Sequence, residues 1–396
     1  MIKMKRMTFF ILVLLSICLP VQTVRAETET LIIGYLEYED DPRYEESYTD
    51  DRFPAQPWGR PTDGIEAALK DTRFAAMAAG VQFKLERRSV AAAEELLPAL
   101  NELHAAGAHF FLLDLPGKMV VEVASKTRGM PVLLFNLSAL DDDLRQEHCQ
   151  PHLMHLAPSR TMLTDAVSQF LVFKKWRDLL VLKGTQPEDA AYYKAFLRSA
   201  KRFGIKPLEV KDFVLGRDPR QRSKNNVALL TAGVDYEVLY VIDSHGEFAR
   251  DVPYQDQKPR AVVGAAGLVA DWWHWAWERN GAPQVNKRFF KTAKRPMTGY
   301  DWSGWIAIKV IAETLIRSES KDFPSLAAYI RGEDLALDGS KGYQLNFRSW
   351  NNQLRQPIFL TTPNWVVAQA PLDGFLHPTN NLDTLGFDDR ESACKF

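Results

Sequence analysis

The chain lacks a one-sided charge, a membrane-length apolar run and any familiar catalytic signature. Its 49 basic and 50 acidic residues give a net charge of -1. A nucleic-acid binder needs a concentrated basic face, so that class is excluded. No stretch approaches the roughly 20 apolar residues of a spanning helix. There is no Gly-x-Ser-x-Gly elbow, no His-Glu-x-x-His pair, no phosphate loop and no dinucleotide fingerprint. Carboxylates abound, but no local pattern ties a pair of them to a positioned His or Lys, so a non-enzyme is expected. Short-period repeats and low-complexity segments are also missing.

The 396 residues begin with a secretory pattern. Lys3, Lys5 and Arg6 precede a short apolar run, Phe9 to Leu19, and Val24-Arg25-Ala26 supplies small residues for cleavage after Ala26. Ile17 stands before Cys18 where lipid anchoring needs a small residue. Losing this segment removes four cations and no acid, which takes the net charge from -1 to -5. Of three cysteines, Cys149 and Cys394 then remain. In an oxidising compartment the two can pair and tie the tail to the first half of the chain. Sequence leaves open whether they meet. The expected product is a periplasmic monomer of about two domains.

Beyond residue 26, apolar runs alternate with helical patterns, the form of an α/β chain with parallel sheets. Strands are expected at 31–35, 81–86, 109–113 and 131–135, with helices at 63–79, 91–106 and 118–128. A second series starts near Pro158, with a helix at 161–173, a strand at 178–182 and a helix at 190–203 that ends at Gly204. The βαβ rhythm continues through 210–214, 222–231, 238–242 and 261–264. Trp272 to Trp277 alternates large and small residues, as a strand or an interlobe linker would. Helices at 301–316 and 323–331 and strands at 358–360 and 365–367 follow.

His155-Leu156-Ala157-Pro158-Ser159-Arg160, a helix, and then Trp176-Arg177-Asp178-Leu179-Leu180-Val181-Leu182 resemble the first interlobe crossover of type I periplasmic binding proteins, the branched-chain amino-acid receptor class. Gly34-Tyr35, Leu113 to Gly117 and Pro131 to Ser138 resemble that class too. The acidic, tyrosine-rich Tyr35 to Tyr44, with Trp58-Gly59-Arg60-Pro61 and the tryptophans around Trp273, is similar to the substrate-binding proteins of the PQQ-dependent (quinoprotein) alcohol dehydrogenase system. The resemblance implies two Rossmann-like lobes joined by three crossovers, near Pro158, Trp273 and Gln356, around a ligand cleft. Lobe 1 would comprise 27–156 and 274–355, and lobe 2 would comprise 157–273, 356–396 and the tail. It also implies an ABC transporter permease and ATPase as partners. A sensor or accessory protein of the same fold, or a lanthanide receptor, is the alternative.

Site expectations follow from the same likeness. Asn136 and Ser138 match positions that hold a ligand's anionic end, or else form a plain turn. Pro116 and Gly117 match the other first-lobe contact, and Asp243 and His245 stand where an aromatic contact is usual. Ala266 falls where amino-acid receptors place an acid, which argues against a free amino acid. Tyr300 and Asp301 open a helix beside the cleft.

The acidic run Glu37, Glu39, Asp40, Asp41, Glu45, Glu46, Asp50 and Asp51 suits calcium or a lanthanide chemically. It equally suits a solvated loop offset by Arg43 and Arg52, and Asp141 to Asp143 add little to the metal reading. His148, His152 and His155 with Cys149 and Met154 hold soft-metal ligand types, yet strand alternation would split them between two faces. The four tryptophans would stack on a ligand or fill a core.

Overall fold

The computed structural model describes residues 28–44, 56–215 and 219–396. The expected signal segment and Glu45, Glu46, Asp50, Asp51 and Arg52 of the acidic run lie outside the described residues. Two parallel sheets form the two lobes expected.

The first sheet is built from β1 (Glu29–Tyr38), β2 (Val81–Val90), β3 (Phe110–Asp114), β4 (Leu133–Asn136) and β5 (Leu153–His155) in the order 2-1-3-4-5. Three helices connect them: α1 (Thr62–Ala78), α2 (Leu96–Ala105) and α3 (Gly117–Lys126). Phe110 to Asp114 is buried at every position, as a strand covered on both faces must be.

The chain then enters α4 (Arg160–Phe173), capped by the Ser159 side chain. There follow β6 (Asp178–Lys183), α5 (Pro187–Phe203), β7 (Lys206–Asp212), α6 (Val227–Thr231), β8 (Val238–Ile242), α7 (Glu247–Gln255) and β9 (Ala261–Gly264). This second sheet has the order 7-6-8-9, again parallel.

After β10 (Val269–Asp271) come α8 (Ala282–Ala293), α9 (Gly299–Arg317) and α10 (Phe323–Arg331). α9 lies against α1, on the first lobe. Its approach is very close: a Cβ on Gly64 would sit 1.9 Å from the Asp301 carbonyl oxygen, and one on Gly304 would sit 2.4 Å from that of Pro61. A hairpin, β11 (Leu337–Asp338) and β12 (Gln344–Leu345), leads to β13 (Ile358–Thr362) and β14 (Trp365–Ala370). β10, β13 and β14 make a small antiparallel sheet beside α4.

The strand alternative for Trp272 to Trp277 is corrected here. β10 ends at Asp271, and residues 272–277 pair with no strand among the described residues, although the consecutive Trp272 and Trp273 are both buried. The Trp272 indole donates to Ser303 Oγ at 3.0 Å and that of Trp273 donates to Asn286 Oδ1 at 3.0 Å. They are core and linker. The helix α8 had no counterpart in the sequence reading, because the aromatic run before it masked its start at Gly281-Ala282-Pro283.

Two crossovers run side by side and share hydrogen bonds. His155 N donates to Asn352 O at 2.9 Å, and Leu354 N donates to His155 O at 2.9 Å. Arg145, fully buried, spans them. Its Nε reaches Gln353 Oε1 at 2.9 Å, and its terminal nitrogens reach the carbonyls of Ala139 (3.0 Å), Asp141 (2.8 Å) and Ala157 (2.8 Å). Burial lowers its pKa to about 10, so it stays charged at neutral pH. Gln356 Nε2 donates to Leu156 O at 2.7 Å, and its Oε1 accepts from the buried Lys341 Nζ at 2.7 Å.

Arg145→Met keeps volume but strands several buried carbonyls, each costing about 1–3 kcal/mol. Urea unfolding should show a loss of at least about 3 kcal/mol, whereas a change under 1 kcal/mol would show that the crossovers hold without it.

Candidate ligand-binding cleft

The cleft is made at the carboxyl ends of the parallel strands, where β–α loops face the opposite lobe. On the first lobe, the end of β1 runs into Asp41-Pro42-Arg43-Tyr44. Asp41 is buried and bonded to Arg43, and the Arg43 guanidinium also donates to the Ser138 carbonyl at 3.0 Å. Under it lies Asp114, the last residue of β3 and completely buried. Tyr35 and Tyr44 donate to its carboxylate at 3.0 and 2.7 Å, Arg60 donates at 3.3 Å, and Arg43 stands 3.5 Å away. Burial, and then the Asp114 charge, raises both phenols well above their ordinary range, so they remain donors. Burial works against the Arg43 charge, but Tyr44, Asp41 and Asp114 outweigh it.

Arg160, at the start of α4 and 5% exposed, links the lobes. It pairs with Asp141 of the loop after β4 at 3.3 Å and with Glu188 of α5. Its guanidinium also lies 5.5 Å from the centre of the Tyr192 ring. Farther along, Gln56 Nε2 donates to the carbonyls of Ser244 and His245, each at 3.2 Å. The lobes therefore touch at two places. Tyr300 is buried at the start of α9, edge-on to Trp272 at 4.8 Å between ring centres. Burial first, with Asp271 and Glu188 adding, raises its pKa to about 12. Burial likewise raises that of Tyr192.

The expected contacts divide sharply. Asn136 is buried and its amide is spent internally: Nδ2 donates to Ala139 O at 2.8 Å, and Oδ1 accepts from Ala139 N at 2.9 Å. It shapes the turn. Ser138 is also buried, but its hydroxyl has no partner among the described residues. Pro116 is the N-cap residue of α3 and Gly117 its first residue. The Asp243 carboxylate accepts from His245 N (3.2 Å) and Ala249 N (2.9 Å), while the His245 side chain is exposed. Asp301 is held by Arg295 (2.8 Å) and by the Thr298 capping box. Tyr300 and Ser138 face no such commitment among the described residues.

The metal candidates disperse in the same way. Glu37 pairs with Arg60 (3.5 Å) and Arg87 (3.7 Å), and Asp41 pairs with Arg43; among the described acids of the run, Glu39 and Asp40 are exposed. Among the described residues, no group of three or more His, Cys, Asp or Glu is placed to hold a metal. His152 bonds to Thr127 Oγ1 at 2.9 Å, His155 to Asn136 at 3.2 Å, and His148 is exposed. A disulfide joins Cys149 to Cys394, with Cα atoms 5.7 Å apart. Sequence reasoning missed Asp114, Arg160, Tyr192 and Glu188. The visible signals were an acid closing an apolar strand, Phe110 to Asp114, and an arginine directly after Pro158-Ser159.

This is the type I periplasmic binding protein architecture, with two parallel-sheet lobes hinged about a cleft. The chain is similar to a periplasmic binding protein from Burkholderia mallei, with TM-score 0.66, 13% identity and coverage of 92% of this chain and 98% of that one. It is also similar to a branched-chain amino-acid ABC transporter periplasmic ligand-binding protein from Burkholderia xenovorans LB400 (TM-score 0.67, 13% identity, 86% and 95% covered). A third is a solute-binding protein of an ABC transporter from Rhodopseudomonas palustris BisB5, in complex with 3,4-dihydroxybenzoic acid (TM-score 0.63, 12% identity, 84% and 93% covered). No protein-family model matches the chain, and no curated protein matches it.

His152 offers a pH test of this part of the lobe. Burial, with Arg128 and Arg331 adding, lowers its pKa from 6.5 to about 4. The unfolded chain therefore takes up the proton first, so stability is full above pH 6.5 and is lost as pH falls towards 4. Relative to His152→Gln, the wild type should lose up to about 1.4 kcal/mol per pH unit across that window. Parallel stability curves for the two proteins would refute a buried neutral imidazole.

Proposed function

We propose that the chain is the periplasmic ligand-binding component of an ABC-type importer and takes up a small molecule between its lobes without catalysis. The observation that carries this reading is Arg160, which joins Asp141 of one lobe to Glu188 of the other beside two facing sets of strand ends. Such a geometry lets hinge closure bury a ligand and present both lobes to a permease. The structural neighbours described as ABC transporter binding proteins support it. The finer reading, an importer associated with quinoprotein alcohol oxidation, is supported by the sequence resemblance in Tyr35 to Tyr44 and Trp58 to Pro61. A lanthanide receptor is the less favoured reading, since Glu37 and Asp41 are already paired with arginines.

Native mass spectrometry of the protein taken from its own periplasm should show one retained small molecule. Small-angle scattering should show the lobes closing as that molecule is restored. Deleting the gene should abolish uptake of the same compound, and growth on alcohols should fall with it if the finer reading is right. A chain that retains nothing and whose deletion leaves uptake intact is no importer component. A bound lanthanide in place of an organic molecule would favour the second reading.

A further inference from the structure

Besides the crossovers, a segment near the end of the chain joins the two lobes. On the second lobe, Gly386 N donates to the buried Asp165 at 2.8 Å, and the Gly386 carbonyl accepts from Arg202 at 2.8 Å. Arg198 of α5 lies 4.2 Å from the centre of the Phe387 ring and pairs with Glu391 at 2.5 Å. The first-lobe contacts come directly afterwards. Ala393 N donates to Gln146 Oε1 at 2.8 Å, and Cys394 is bonded to Cys149. From Glu391 to Cys394 the chain can span at most about 11 Å, so the arm between the lobes is short.

The contacts along this arm differ in strength. A hydrogen bond such as that of Ala393 contributes about 0.5–1.5 kcal/mol net. Glu391 is exposed, and an exposed ion pair contributes about 0–1 kcal/mol. Lobe motion can break either. If the Arg198–Glu391 pair opens, the arm runs from Gly386 instead and can span at most about 29 Å. In both cases its far end is the disulfide, which motion does not break but a thiol does. Cys149 and Cys394 are both partly exposed. Cys394 Sγ also lies 3.4 Å from the carbonyl oxygen of Arg145, whose side chain spans the first and third crossovers. The covalent end of the arm is thus set at the hinge.

We propose that the Cys149–Cys394 disulfide is a redox-controlled stop on lobe opening. Oxidised, it holds the first-lobe end of the segment and limits how far the cleft opens. Reduced, it frees that end and the cleft opens wider. The reductant is a dithiol: one thiolate attacks a sulfur of the disulfide, and the second thiol resolves the mixed disulfide. Two electrons and two protons pass to Cys149 and Cys394, which become thiols, and the dithiol departs as its own disulfide. The stop regulates the cleft of the importer reading and rests on that reading for the hinge motion it limits.

Small-angle scattering of the full secreted chain, dialysed free of bound molecules, tests the stop in four forms. These are the oxidised protein, the protein reduced with dithiothreitol, Cys149→Ala/Cys394→Ala, and a disulfide-bonded variant with four glycines inserted between Ser392 and Ala393. The insertion adds up to about 14 Å of contour and leaves every named anchor in place. Against a radius of gyration of about 21 Å for a compact chain of this length, the last three forms should each be larger by about 1 Å. Circular dichroism should show the same folded content in all four. A disulfide that only stabilises the fold would lower the melting temperature on reduction and leave the four profiles alike, which overturns the stop. So does expansion on reduction without expansion on insertion, because length is then not what limits the lobes. If the double variant fails to fold, the reduced wild type and the insertion decide between these outcomes. A small molecule retained in the native mass spectrum would keep the importer reading even where the stop is lost.

Discussion

The two-lobed arrangement depends on burying positive charge at the crossovers. Among the described residues, Arg145 has no carboxylate within bonding distance; carbonyl oxygens and the Gln353 amide surround it instead. Those carbonyls come from the loop after β4 and from the first crossover, while Gln353 belongs to the third. Lys341, whose pKa burial lowers well below its ordinary value, donates to the Gln356 side chain, with its Nζ 3.5 Å from the centre of the Trp302 ring. Irregular backbone inside a core must satisfy its carbonyls somewhere. Arg145 does this for the carbonyls of Ala139, Asp141 and Ala157.

Once the crossovers are fixed, the strand ends must face each other, and the cleft inherits its chemistry from whatever closes each strand. β3 closes on Asp114 and the first lobe answers with two tyrosines and two arginines around it. The result is a floor that is polar and saturated. Charge is present in quantity, but paired charge in a low-dielectric cleft gives rigidity and orientation more than attraction. The same reasoning applies to the described part of the acidic run. Its buried members meet arginines brought from Arg43, Arg60 and Arg87, which lie near in space and, for the last two, far in sequence.

Much of the fold could be read from pattern. Fully apolar runs such as Phe110 to Leu113 and Val238 to Ile242 mark buried parallel strands, and Pro158-Ser159 marks the start of α4. The cleft was less legible because its key partners are nonlocal. Tyr35 and Asp114 are 79 residues apart, and Arg145 and Gln353 are 208 apart; no window contains either pair. Asn136 shows the opposite hazard. It sits where a ligand contact is expected, yet local geometry uses up its amide in the turn. Position along a strand predicts which residues are near a cleft, but only the hydrogen-bond inventory tells which still have capacity to bind.

The tail adds a constraint that the two sheets alone would not supply. Gly386 N donates to the buried Asp165 of α4 at 2.8 Å, and Asp383, wholly buried, pairs with Arg348 (2.8 Å) and Arg355 (2.9 Å) of the third crossover. Ala393 N then reaches Gln146 at 2.8 Å, and Cys394 closes the disulfide on the first lobe. Residues 383–394 are thus bonded in turn to the third crossover, the second lobe and the first lobe. A segment held at both ends cannot lengthen beyond its contour, so it limits how far the lobes separate along its course. Under the proposed function, hinge closure would be a motion between lobes already tethered outside the cleft by this segment, with the Gln56 contact to Ser244 and His245 as a link that such a motion would have to remake.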